Sequence, residues 1–175
     1  MLSLLVNHLK QFQKGFVRGS RALGRSDGGA FVELALLMSF FGAPLMAGTA
    51  EIAFMLYDSI EVANAAHTGA LYGMMSSTFA ADSSGIQAAA KEEAADLGSS
   101  LTVTPTAYYA CSSAVDGTQY TTQAAATTAC TGTGNHSLEF VQVVATANVS
   151  LPISVPGLLP SPITLSNTSV MEVEE

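Results

Sequence analysis

Charge is scarce in this chain. Charged residues make up 11% of its 175 residues, against 49% hydrophobic ones, where a soluble domain carries about 25% charged residues. This composition excludes a disordered acidic tail, which combines its charge with low hydrophobicity, and argues against an ordinary cytosolic enzyme. Basic residues are scarcer still and sit at one end. Lys10, Lys14, Arg18, Arg21 and Arg25 all precede residue 29, and Lys91 alone follows it. Residues 1–28 sum to +4 (five basic residues less Asp27) and residues 29–175 to -12 (Lys91 less thirteen acids), which together give the net charge of -8. A folded part with one lysine has no basic patch, so nucleic acid is excluded as a partner. Catalytic signatures are missing as well. There is no GxSxG, no HExxH and no phosphate-binding glycine loop. The three histidines, His8, His67 and His136, fall in no cluster of metal-ligating residues. No catalytic residue, cofactor or metal is expected, and the chain reads as a non-enzyme.

A long apolar run is present instead. Residues 30–57, AFVELALLMSFFGAPLMAGTAEIAFMLY, hold only two charges, Glu33 and Glu51. A membrane-spanning helix needs about 20 mostly apolar residues, and Gly42, Gly48 and Pro44 are better tolerated in such helices than in soluble ones. Pro44 removes a backbone donor and should kink the helix. Lys and Arg stay on the cytoplasmic side of a span, so the basic head predicts an N-in, C-out single pass over residues 29–57, with residues 58–175 outside the cytoplasm. In an oxidising compartment Cys111 and Cys130, too far apart for a CxxC motif, are expected to pair. Closing that loop contributes about 3 kcal/mol in the chain-entropy model.

The two acids of the apolar run differ. An ionised group at the centre of a span costs about 2.5–3.5 kcal/mol on insertion scales and is functional by default. Glu51 follows Glu33 by 18 residues, or five helical turns, which puts both on one face ~27 Å apart. That spacing favours the outer membrane interface for Glu51 over an intramembrane role.

The junction Arg25-Ser26-Asp27-Gly28-Gly29-Ala30-Phe31-Val32-Glu33-Leu34 resembles a type IV prepilin processing site: a basic leader, Gly before the cut, Glu at the fifth mature position, then an apolar helix. The GAFVELALL stretch, the Ala65-Ala66-His67-Thr68-Gly69-Ala70 element and a C-terminal pair of strands around Leu159-Pro160-Ser161-Pro162 are similar to the TadE/TadG pseudopilins of tight-adherence (Flp-type) pilus systems. Leu34 stands where Phe or Tyr is more usual in that family. The resemblance implies cleavage between Gly28 and Gly29 by a prepilin peptidase, with Glu33 as an assembly contact that meets the new N-terminal amine, usually on a neighbouring subunit. It implies other pilins or pseudopilins, an inner-membrane assembly platform and membrane lipid as partners, at the bacterial inner membrane or in a surface pilus. Two other readings compete. One is a single-pass anchored binding domain unrelated to pili. The other is a secreted protein cut near Ala47-Gly48-Thr49-Ala50.

Beyond residue 57 the helical spacing continues through Ile60, Ala63, Ala66, Ala70 and Met74. The small residues Ala66, Gly69, Ala70 and Gly73 form a strip suited to close approach of another helix, or of the chain's own sheet. Asp82-Ser83-Ser84-Gly85 predicts a break, with Ser84 and Gln87 as a capping pair for a second helix over Gly85–Leu97 that Gly98 ends. Strands are expected at Leu101–Thr104, within Ser137–Ser150 and at Ile163–Val173, and a disulfide loop over 112–136. The expected fold is α+β: a long N-terminal membrane-spanning helix leading into a small extracytoplasmic domain with a short helix and an antiparallel sheet, as in pilins.

Overall fold

The computed structural model describes residues 28–115, 117–151 and 162–174. The basic leader up to Asp27 and the link Leu159–Ser161 lie outside the described residues. The chain divides into two compact units after Thr49.

Helix α1 (Gly29–Leu37) is followed by a π-helical turn (Met38–Gly42) and then by α2 (Ala43–Met74). Gly29–Met74 is the one helix among the described residues that is long and apolar enough to cross a membrane. The disturbance expected from Pro44 takes the form of the π-helical turn. Proline has no N–H for the carbonyl four residues back, and its ring crowds that carbonyl. The backbone widens just before it, and the Ala43 N–H bonds the Met38 carbonyl. In α1 no side chain is buried.

The second unit, from Ala50, is α+β. Helix α2 ends at Met74, the last position of the helical spacing and before the break expected at Asp82–Gly85. Ser76 is extended (φ -172°, ψ 165°) and its hydroxyl accepts from the Phe79 N–H, which caps α3 (Ser77–Ala81). Helix α4 (Ser83–Glu93) starts two residues before the expected position. Its cap is Asp82 rather than Ser84: the Asp82 carboxylate accepts from the Gly85 N–H at 3.0 Å and the Ser84 hydroxyl at 2.7 Å. A carboxylate caps better here because it takes both donors at once and carries negative charge at the helix start. A 3₁₀ segment (Ala95–Ser100) then turns at Gly98, whose φ of 50° favours glycine.

Three antiparallel strands complete the unit in the order β1-β2-β3: β1 (Leu101–Cys111), β2 (Ser137–Val149) and β3 (Ile163–Glu172). β1 runs seven residues beyond the expected Thr104. It passes through Pro105 because Pro105 lies on the edge side. The Tyr109 N–H, four residues on, turns away from β2 to bond the Tyr120 carbonyl at 2.8 Å, so position 105 has no ladder bond to lose. Between β1 and β2 the chain forms α5 (Gln123–Ala129), which sequence spacing did not suggest.

The core lies between the helices and one face of the sheet. Val62, Ala65, Ala66 and Ala70 of α2, with Ile86 and Ala90 of α4, pack in one cluster with Val103, Val141, Val143, Ala145 and Ala147. The small-residue strip of α2 is therefore taken up by the chain's own sheet and by α4. A Cβ on Gly73 would lie 2.8 Å from Val141 Cγ2 and 3.2 Å from Ile86 Cδ1, so the glycine sets how closely helix and sheet approach. Tyr108 and Phe140 stack at 5.6 Å in a smaller cluster with Ala110, and Leu138 packs against it.

Candidate processing and assembly site

The expected processing site lies at the start of α1. Gly28 precedes the helix at φ -88° and ψ -16°, with no side-chain hydrogen bond capping it. A Cβ added at Gly28 or Gly29 would meet nothing within 4 Å. The Gly28–Gly29 bond thus has open space beside both glycines, with Gly28 half-buried and Gly29 exposed. It sits where backbone N–H groups lack intrahelical partners, as the first turn of any helix does.

Glu33 is the fifth residue of α1 and is exposed. It lies four residues after Gly29, so both are on one side of the helix, one turn apart. Side chains on a helix lean toward its N-terminus, which carries the Glu33 carboxylate toward the helix start and its positive dipole end. Lys91, in α4 of the second unit, is the sole lysine or arginine among the described residues. Around Glu33, Phe31, Leu34, Leu37 and Phe41 are all largely exposed.

Glu51, expected at the outer membrane interface, differs from Glu33 in its surroundings. It is fully buried, with 0% of its surface exposed, at the start of the second unit. Spacing from Glu33 could set its height along a helix, but burial depends on which segments fold over it. A second acidic group, Asp58, is half-buried, and burial raises its pKa above the ordinary carboxylate value.

Cys111 and Cys130 form a disulfide with a Cα–Cα distance of 5.3 Å. It ties the end of β1 to the residue after α5 and closes a loop of sequence separation 19. His67 is exposed on α2, and His136 lies beside the Gly134 carbonyl at 3.3 Å in the approach to β2. Among the described residues there is no group of three or more His, Cys, Asp or Glu side chains placed to hold a metal ion.

A tighter polar constellation, missed in the sequence, joins α2 to α4. The Tyr72 hydroxyl donates to Asp82 at 3.0 Å, and Gly85 leaves room for the contact, since a Cβ there would collide with Asp82 and Tyr72. Bonds from Ser84, Gly85 and Tyr72 hold the Asp82 pKa below its ordinary value, and the bond to Asp82 raises that of Tyr72. Tyr72 also meets Phe79 edge-on at 5.0 Å. The signal was present as Asp82 three residues before Gly85, but a partner ten residues upstream has no local spacing rule.

Comparison with protein-family models, curated proteins and solved structures finds no match for the chain.

Proposed function

We propose that the chain is a TadE/TadG-like minor pseudopilin. A prepilin peptidase cuts it between Gly28 and Gly29, and the product acts in assembly of a tight-adherence (Flp-type) pilus for surface attachment. The observation that carries this reading is the coincidence of three features at one place: a Gly28–Gly29 bond with open space beside both glycines, a helix that begins at Gly29, and a single carboxylate, Glu33, one turn into an apolar helix with no buried side chains. The apolar helix is the anchor, N-terminus in the cytoplasm, and the α+β unit lies in the periplasm or on the pilus.

Hydrolysis of the Gly28–Gly29 peptide adds one water. It leaves a carboxylate on the leader and an amine on Gly29, charged at neutral pH, since an α-amino group titrates near pH 7.7–8.0. In lipid, pairing that amine with a Glu33 carboxylate lowers the cost of both charges. When the pair forms between neighbouring subunits, it sets their axial stagger. The partners are other pilins, the peptidase and the inner-membrane assembly platform.

The test is the N-terminus of the chain recovered from membranes. Mass spectrometry is expected to find Gly29 first, and a chain that still starts at Met1 overturns the reading. A start at Glu51 with the protein in the soluble fraction replaces it with cleaved-signal secretion. Gly28→Ala should accumulate the uncut chain. Glu33→Ala should be cut normally yet assemble poorly, and undiminished piliation in that strain removes the pairing role.

A further inference from the structure

The outward side of α2 carries no charge. The face of a helix turned away from its core ordinarily holds charged and polar residues. Between residues 58 and 74 the exposed residues of α2 are Ile60, Asn64, His67 and Leu71, and Ala53 and Tyr57 continue the same line below them. Ile60 is 60% exposed, Tyr57 53% and Leu71 42%. The unit from Ala50 on holds twelve acids (fourteen less Asp27 and Glu33) against Lys91 alone, yet none of these six residues is Asp, Glu, Lys or Arg.

Their spacing is as informative as their chemistry. Ala53, Tyr57, Ile60, Asn64, His67 and Leu71 follow one another at intervals of four, three, four, three and four residues. That is the narrow 3.5-residue repeat of a coiled-coil seam. The opposite side of α2, with Val62, Ala65, Ala66 and Gly73, is taken up by the chain's own core. In the heptad, Tyr57, Asn64 and Leu71 fall at a, and Ala53, Ile60 and His67 at d. A single Asn at an a position fixes register and oligomer state in coiled coils, at some cost in stability. Its carboxamide both donates and accepts, so it can satisfy its own copy.

We propose that this strip is a parallel, in-register seam with α2 of a second copy, the two-fold axis running along the helix pair. The direction follows from the anchor. Two copies inserted N-in run their helices the same way and bring the same residue to the same height. Asn64 then meets Asn64, and Ile60 and Leu71 are covered by their own copies. Glu61, the one charge at the flanking e and g positions, falls opposite Leu56 of the other copy rather than opposite itself. Lipid does not account for the strip, which runs ~21 Å past residue 57. A seam from Ala53 to Leu71 is short, ~27 Å. However, α2 is already folded on its own core, and confinement to one membrane raises the effective concentration of the two copies. The seam sets them level, whereas the pairing of Glu33 with an N-terminal amine needs an axial stagger. The pair is therefore a state of the chain resident in the membrane. It takes only the anchored orientation from the proposed function, so a mature chain that keeps Met1 would remove the pilus reading and leave the seam standing.

Disulfide trapping of the full chain in membranes tests it. The native cysteines are paired with each other, so a single introduced thiol reports one position. Ile60→Cys and His67→Cys should each form covalent dimer at least about tenfold faster than Thr102→Cys, an exposed position on β1, because pairing raises the local thiol concentration. Asn64→Asp sets two carboxylates against each other and should be monomeric by native mass spectrometry from detergent where the wild type dimerises. Asn64→Leu removes the amide that fixes the two-stranded state and should give larger oligomers beside the dimer, whereas an asparagine that only faces water would leave the state unchanged. Equal trapping at positions 60, 67 and 102, a monomeric wild type, trapping to a different membrane protein instead of a second copy, an unchanged state in Asn64→Leu, or a folded Asn64→Asp that dimerises like wild type overturns the proposal. Should Asn64→Asp fail to fold, the cysteine variants decide.

Discussion

The segment before Thr49 and the unit after it use apolar residues in opposite ways. In the first, large side chains are outside: Phe31 is 78% exposed, Phe40 77% and Met46 74%. In the second, much of the buried helix surface is alanine, with Ala65, Ala66 and Ala70 at 0%. In a water-soluble protein the larger side chains bury first, because transfer free energy grows with apolar area. Here the ranking inverts along one helix. The inversion makes sense if two solvents act. Lipid covers large side chains without help from the protein, whereas close approach of helix to sheet needs small ones. Hydrophobicity alone therefore does not mark the core of this chain. Size at the contact does.

The comparison breaks most sharply at matched truncations. Ile86→Ala removes a fully buried side chain of α4 from the cluster it shares with α2 and β2 and should cost about 2–5 kcal/mol of the second unit's stability. Phe40→Ala should leave that stability unchanged and instead weaken retention in membranes or micelles. Urea unfolding followed by circular dichroism, beside detergent partitioning, reads both. A stability loss in Phe40→Ala of the same size would show that its exposure is not lipid-facing.

Replacing Cys111 and Cys130 together by Ser should lower stability by about 3 kcal/mol, from the lost constraint on the unfolded chain. That effect belongs wholly to the second unit and should be abolished in wild type by a reductant. A smaller effect comes from Gly73→Ala. Its new Cβ would press on Val141 and Ile86, and overpacking of this kind costs about 1–3 kcal/mol. Gly42→Ala, on the π-helical turn, meets only Met38 at 3.4 Å and should be close to neutral. Equal effects at the two glycines would mean that the helix–sheet contact is looser than its distances indicate.

Legibility in the sequence follows the same division. The apolar helix, the disulfide and the three strands were legible because each has a local mark: a run, a pair of cysteines, an alternation. What was not legible depended on partners distant in sequence. β1 extends through Pro105 only because that residue sits on an edge, and edge status is set by β2. The Ala-Gly strip of α2 reads equally well as a surface for another helix or for a sheet, and the choice is made by Val141 and Val143 some 70 residues on. The burial of Glu51 was not legible either, because its spacing from Glu33 says nothing of which segments cover it. At the candidate site the reverse holds. Gly28, Gly29 and Glu33 lie within one short stretch, so sequence and structure carry nearly the same information there.

The smallest expected effect is the most selective. Tyr72→Phe keeps the ring against Phe79 and removes only the hydroxyl that bonds Asp82. Asp82 titrates below its ordinary 3.8 in the folded chain, so its contribution is present above that value and is lost as pH falls through the lowered one. Tyr72 titrates above its ordinary 10.0, so its contribution is full below that value and is lost as pH rises through the raised one. Asp58 runs the other way. Its pKa is raised by burial, so it favours the folded state at low pH and opposes the Asp82 limb in wild type and variant alike. Subtracting the two urea midpoints cancels Asp58. The difference between wild type and Tyr72→Phe should be largest between about pH 5 and 9 and should shrink toward both extremes. A difference that stays flat across the whole range would mean the hydroxyl acts through packing rather than through its bond to the carboxylate.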